Sequence, residues 1–298
     1  MSNGKPKRPH LFPSSKETVP ASRRTSDSAQ TRSPTYRLAF ADEDFLLADE
    51  TRAVRLQLEW LKFDGLLDNA NIDHTIVVFG SARIDEAAQA KEKVALLKQQ
   101  SKLEPDNAAL KQLLKSAHNL EKLAVYYNEA RRFANRVVKD GEKAFGFAST
   151  IITGGGPGIM EAANRGAFDA GAPNIGLNIV LPTEQHPNPY VSPHLSFQFH
   201  YFAIRKMHFL MRARAIVAFP GGFGTLDEIF ETLTLRQTGR VSCLPILLCG
   251  KEYWRKIVNI DALVDAGVIS PDDTQLFHYV ETADEAFQAI ADFYKKRP

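Results

Sequence analysis

The chain predicts an α/β fold in which a doubly wound parallel sheet carries helices on both faces. Two observations predict it. Short apolar runs alternate with amphipathic, helix-like runs through most of the 298 residues. Two of those apolar runs end in glycine-dense turns that open directly into helix-like segments, the place where open sheets of the Rossmann-like kind bind ligands. A hydrophobic content of 44% against 24% charged residues supplies ample material for one such core.

Residues 1–35 are rich in Ser, Thr, Pro, Lys and Arg and nearly bare of apolar side chains, so a disordered basic tail is expected there. Residues 36–298 are expected to form a single Rossmann-like nucleotide-binding domain. Leu46, Leu47, Val54, Leu56, Leu58, Leu61 and Leu66 give residues 44–67 an amphipathic helical pattern. A short apolar strand follows at 75–79 and ends at Gly80, with Ser81 in the loop beyond it. Residues 85–124 are rich in helix formers and split by Pro105, which predicts a helical hairpin inserted as an excursion or dimer arm. A third helix at about 126–139 leads into a strand at 146–153. Strands are then expected at 175–181, 197–202, 215–219, 245–248 and 277–281. Helices alternate with them at 158–170, 203–213, 226–237, 252–265 and 283–295.

The formal net charge of +2 averages two unlike parts. Residues 1–34 carry seven Lys/Arg against two Asp/Glu, which leaves the remainder mildly acidic and argues against a nucleic-acid surface. Only two cysteines occur, Cys243 and Cys249, and without a further pair they make no metal set. Small buried hydrophobes in a reducing cytoplasm are the expectation. His186, His194, His200 and His208 lack metal-binding spacing with a carboxylate partner and read as surface or core residues. No apolar run approaches the ~20 residues of a membrane span, and the basic amino terminus lacks the apolar core of a secretory signal. Neither a metal nor a cofactor is expected.

The densest chemistry lies in Pro220-Gly221-Gly222-Phe223-Gly224-Thr225-Leu226-Asp227-Glu228, between an apolar run and a helix-like run. Bare backbone N–H groups at the positive end of a helix dipole form a ready phosphate site. Glu228 then stands on the first helical turn, beside whatever that phosphate carries. Thr225-x-x-Glu228 also matches a capping box, in which Thr225 caps the helix and Glu228 reaches back. The two roles are compatible. A second turn, Gly154-Gly155-Gly156-Pro157-Gly158, lacks the dinucleotide spacing and the acidic residue ~20 positions on, so a mononucleotide-sized ligand is expected rather than NAD. Arg205 opens a helix whose following strand ends at the 221–224 turn, which sets it at the mouth of the same cleft or on a solvated face. Glu184 lies in a loop stiffened by Pro182, Pro187 and Pro189, as a ligand contact or merely in a connection. No serine nucleophile elbow is visible.

Taken together, Gly154-Gly155-Gly156-Pro157-Gly158-Ile159-Met160-Glu161, Arg205-Lys206 and the 220–228 run resemble the LOG (LONELY GUY) family. The resemblance covers roughly residues 36–290. Members hydrolyse the N-glycosidic bond of nucleoside 5′-monophosphates, including cytokinin riboside monophosphates, and have often been labelled lysine decarboxylases. It implies that Arg205 and Glu228, 23 residues apart as in the family, form the catalytic pair. It also puts Gly222 through Glu228, Lys206 and Thr234 on substrate-contacting positions, with Glu184 as a ligand-contacting glutamate. Ser81, Gly155, Gly156 and Gly221 complete the expected phosphate- and substrate-binding set. Plant members have Met-His where this chain has Phe202 and Ala203, so base preference is open. The family further implies a homodimer or larger homo-oligomer with its cleft near the subunit interface, and no nucleic-acid or membrane partner. Two rivals stand beside this reading. One is a decarboxylase, for which the chain shows no pyridoxal site. The other is a non-catalytic nucleotide or phosphorylated-cofactor carrier, which the same glycine turns would serve.

Overall fold

The computed structural model describes residues 14–23, 26–182 and 186–296. The chain separates into two compact units, residues 1–61 and 62–298. In the first, α1 (Ser15–Ser22) and α2 (Ala29–Arg32) occupy part of the stretch expected to be a structureless tail. Each starts at a serine. Ser14 donates its N–H to Glu17, and the Ser28 hydroxyl accepts from Thr31 N, so local capping makes helical turns where composition alone predicts none. The single helix expected over 44–67 is two, α3 (Glu43–Leu47) and α4 (Arg52–Asn69). Arg55 holds the break by donating to the Leu46 and Ala48 carbonyls.

The second unit is built on one all-parallel sheet of seven strands in the order β4-β3-β2-β1-β5-β6-β7. They are β1 (Thr75–Phe79), β2 (Thr150–Thr153), β3 (Ile175–Ile179), β4 (Ser196–Phe199), β5 (Ala213–Ala218), β6 (Ile246–Cys249) and β7 (His278–Val280). From β1 the chain winds outward to β4, returns to the far side of β1 for β5, and winds outward again. The doubly wound expectation is met, and the reversal leaves a crevice at the carboxyl ends of β1, β2 and β5.

Between β1 and β2 run α5 (Ala87–Leu103), α6 (Ala108–Leu123) and α7 (Val125–Phe145). The first two are the hairpin expected at 85–124; Pro105 falls in its turn, and only Ala90, Val94, Leu110 and Ala117 of α5 and α6 are buried. α7 runs further than expected, until Gly146 adopts φ +84° and ends it, so the strand begins at Thr150 instead of 146. The remaining helices are α8 (Ile159–Asp169), α9 (Phe202–Met211), α10 (Phe223–Gln237), α11 (Lys251–Ile257), α12 (Ile260–Asp265) and α13 (Ala283–Lys295). The helix expected at 252–265 breaks because Asn259 accepts from Ala262 N and starts a new one.

Alternate strand residues feed two cores. Ile76, Val78, Ala215, Val217 and Leu247 pack with α7, α8 and α13. Val77, Phe79, Ile216, Ala218 and Leu248 pack with Phe63 and Leu67 of α4, Phe209, Ile229 and Trp254. Burial on both faces is the reason the strands read as unbroken apolar runs. Among the described residues no helix is long and apolar enough to cross a membrane.

Candidate active site

Three loops meet at the carboxyl edge of the sheet, and backbone hydrogen bonds stitch them together. Ser81, just past β1, donates its N–H to the Pro220 carbonyl at 2.9 Å and accepts from Ile159 N at 3.0 Å. One bond reaches the loop after β5 and the other the first turn of α8, so Ser81 ties both glycine turns to the central strand. Gly158 permits the junction, because its φ is +69° and a Cβ there would lie 2.4 Å from the Ser81 carbonyl oxygen. The Ser81 hydroxyl is turned back to Arg83 N.

The 154–158 turn is held from its other side. Asn188, 6% exposed, donates its side-chain amide to the Gly155 and Gly156 carbonyls at 3.2 and 3.0 Å. Its backbone N–H also donates to the Gly155 carbonyl, at 2.8 Å. Asn164 on α8 accepts from the Asn188 amide at 2.9 Å and from the Thr153 hydroxyl at 2.7 Å, and donates to Asn174. The Gly155 N–H is itself bonded to the Thr153 hydroxyl at 2.9 Å. Gly155 and Gly156, expected as phosphate contacts, therefore spend much of their backbone polarity inside the protein. A satisfied buried network of this kind fixes one loop conformation. Asn188 belongs to the proline-stiffened loop; Glu184 of the same loop lies outside the described residues.

Arg205 projects from α9 into this corner. Its Nε donates to the Leu177 carbonyl at 2.7 Å, and its guanidinium carbon sits 5.1 Å from the centre of the Phe209 ring. A Cβ on Gly154 would come within 2.7 Å of its Nη2, so the glycine at 154 makes room for Arg205. Burial pulls the Arg205 pKa down, and the Glu228 charge opposes that.

Glu228 stands on α10, which begins at Phe223 with Gly222 as its cap. The capping box expected from Thr225 and Glu228 is not formed. Thr225 is the third residue of the helix, its hydroxyl pressed so close to Gly221 that a Cβ there would be 2.1 Å away. The early start moves Glu228 to the second turn, where it is 7% exposed. Burial lifts its carboxyl to about 7, and the charges of Lys206 and Arg205 oppose the rise without cancelling it. Gly222, Phe223 and Gly224 are exposed, and open space surrounds the place a Cβ would take on either glycine. The first turn of α10 contains no acidic residue, whereas that of α8 contains Glu161, which accepts from the Tyr127 hydroxyl at 2.8 Å. Of the two helix starts, α10 is thus the better seat for an anion.

Lys206 and Thr234 make their own bonds to α10. Lys206 pairs with Asp227 at 2.9 Å and Glu231 at 2.7 Å, neighbours of Glu228 on α10, and the exposed Thr234 bonds back to its own helix at Phe230. The crevice gathers Ser81, Gly221, Gly222, Gly224, Thr225, Arg205 and Glu228, with Gly155 and Gly156 in its wall. Among the described residues no group of three or more His, Cys, Asp or Glu gathers as a metal site. Sequence reasoning missed Asn164, Asn188 and Tyr253, whose hydroxyl donates to the Gly221 carbonyl at 2.7 Å. The available signals were an asparagine directly after Ala162-Ala163 for Asn164 and a place between Pro187 and Pro189 for Asn188; nothing local marks Tyr253.

The family model described as "Possible lysine decarboxylase" matches residues 160–290, which include both Arg205 and Glu228. A probable cytokinin riboside 5′-monophosphate phosphoribohydrolase of Oryza sativa subsp. japonica is 27% identical over 153 residues, 48% of this chain and 68% of that protein. A cytokinin riboside 5′-monophosphate phosphoribohydrolase of Arabidopsis thaliana is 28% identical over 147 residues, 48% and 67% of the two chains. This chain is similar to proteins of the LOG family. The alignments span about half of it and about two thirds of those LOG proteins. A solved structure of the molybdenum cofactor carrier protein from Chlamydomonas reinhardtii matches 75% of this chain and 99% of its own at 18% identity, with a TM-score of 0.44. So distant a likeness bears on neither ligand nor reaction.

Proposed function

We propose that this LOG relative hydrolyses the N-glycosidic bond of a nucleoside 5′-monophosphate, AMP or a cytokinin riboside monophosphate, to free base and ribose 5-phosphate. The observation that carries the reading is the buried carboxyl of Glu228, with its pKa lifted to about 7, behind an acid-free helix start and beside the half-buried Arg205. The free N–H groups of the first turn of α10 hold the 5′-phosphate, which brings the ribose C1′ toward Glu228. Cleavage of the C1′–N bond sends its electron pair to the base and leaves positive charge on the ribose ring. A carboxylate at that point stabilises the transition state more than the ground state. The water oxygen bonds to C1′ and one of its protons passes to Glu228, a stronger base than a solvated carboxylate. The departing base takes up one proton from solvent and Glu228 returns its proton to solvent, which balances the reaction. Arg205, fixed by Leu177 and Phe209, orients the ribose or the leaving base. A homodimer or larger assembly in the cytoplasm belongs to the same proposal.

The test is a panel of monophosphates and their nucleosides with purified protein, reading free base and ribose 5-phosphate. Base should appear from the monophosphates and not from the nucleosides. Equal rates on AMP and adenosine would remove the phosphate seat from the mechanism. Tight binding of AMP with no base released would make the protein a nucleotide carrier instead.

A further inference from the structure

A phosphate seat made of backbone N–H groups works only if the carbonyls of the same turn face elsewhere. In the 220–225 turn the carbonyl at issue is that of Gly221, and it is held by a residue outside every motif described above. Tyr253 of α11 donates its hydroxyl to that carbonyl at 2.7 Å. The ring is half-buried and stands edge-on to Trp254, with 5.2 Å between centroids. Trp254 is itself buried and anchored, its indole N–H donating to the Cys249 carbonyl at 2.9 Å. Tyr253 therefore reaches across from the unit after β6 to grip the loop after β5. Burial raises its phenol pKa, so the group remains a donor at neutral pH. With Gly221 gripped, Gly222 serves as the cap of α10 and its carbonyl accepts from Leu226 N at 2.9 Å.

We propose that Tyr253 is a positioning residue for the substrate phosphate. By tying the Gly221 carbonyl to α11 it keeps that oxygen out of the anion seat. The first-turn N–H groups of Phe223, Gly224 and Thr225 then meet the phosphate without an opposing dipole. The proposal rests on the reading that this turn seats a 5′-phosphate. β5 also provides an internal control. Near its other end the Tyr294 hydroxyl donates to the Arg214 carbonyl at 2.6 Å, a bond of the same kind at the edge of the sheet away from the crevice.

The experiment compares Tyr253→Phe with Tyr294→Phe in the full chain. Steady-state kinetics on AMP, binding of inorganic phosphate, thermal midpoint and hydrogen exchange at the Leu226 amide are measured for each. Losing one neutral hydrogen bond predicts that Tyr253→Phe raises KM and weakens phosphate binding by roughly fivefold, with kcat changed by less than about twofold. Exchange at Leu226 should quicken in the same variant. Tyr294→Phe should lower the thermal midpoint by a similar amount and move none of the other readings. Unchanged phosphate binding and unchanged Leu226 exchange in Tyr253→Phe would overturn the proposal, as would equal effects from Tyr294→Phe. If the unaltered protein neither cleaves AMP nor binds phosphate, the functional reading fails by itself. Leu226 exchange then decides the grip of Tyr253 on the loop: faster exchange confined to Tyr253→Phe supports it, and unchanged exchange overturns it.

Discussion

Replacing Glu228 by glutamine should separate stability from catalysis. The carboxyl is 7% exposed and titrates near 7, against 4.5 for the same group in water. Below pH 4.5 the folded and unfolded chains both hold the proton, and Glu and Gln are equivalent. Between 4.5 and 7 the unfolded chain ionises first, so the wild type loses stability as pH rises. Above 7 the loss is complete. The gap between the two pKa values corresponds to about 3 kcal/mol. That figure already includes the attraction of Lys206 and Arg205, because both act on the folded-state value. No cap is lost in the substitution, since Gly222 caps α10. Glu228→Gln should therefore be more stable than wild type by up to about 3 kcal/mol at pH 8 and by nothing near pH 4, read from urea unfolding. Hydrolysis should fall by orders of magnitude at every pH. In the wild type, kcat/KM should rise through about pH 7 as the carboxylate forms, and the variant should lack that limb. A variant less stable than wild type at pH 8 would refute the reasoning, because it would mean that the ionised carboxylate is held more by its cationic neighbours than it is penalised by burial.

Two further substitutions probe the walls of the crevice. In Gly154→Ala the new Cβ falls 2.7 Å from Arg205 Nη2 and 2.8 Å from Met160 Sδ, so Arg205 must shift. Turnover should drop by roughly tenfold or more while the protein stays folded, and unchanged kcat would show that the position of Arg205 does not matter. Asn188→Ala takes the donor from the Gly156 carbonyl and one of two donors from the Gly155 carbonyl and the Asn164 oxygen, and the measured loss in urea unfolding should be about 1–3 kcal/mol. A change below about 0.5 kcal/mol would mean that the asparagine network does not hold the turn.

What the sequence by itself determined is what depends on neighbours a few residues away. Strand runs such as 76–79 are legible because both faces of each strand are buried, so every position is apolar. α13 is found at its expected bounds because Thr282, its cap, immediately precedes a strongly amphipathic run. The two glycine turns are likewise visible as spacing, and the resemblance they carry is what pairs Arg205 with Glu228. Tertiary structure decided the rest. The start of α10 moved three residues because packing of Thr225 against Gly221 put the cap at Gly222, and this removed the capping box that T-x-x-E spacing offered. Lys206 is held by ion pairs to Asp227 and Glu231 while its charge also acts on Glu228, a three-way arrangement that spacing alone does not reveal. Asn188 grips a turn some 30 residues earlier in the chain, and Tyr253 a turn 32 residues earlier, through hydrogen bonds that no local pattern encodes. The pKa of Glu228 follows from burial beneath a folded sheet edge, a property that exists only once strands distant in sequence have come together.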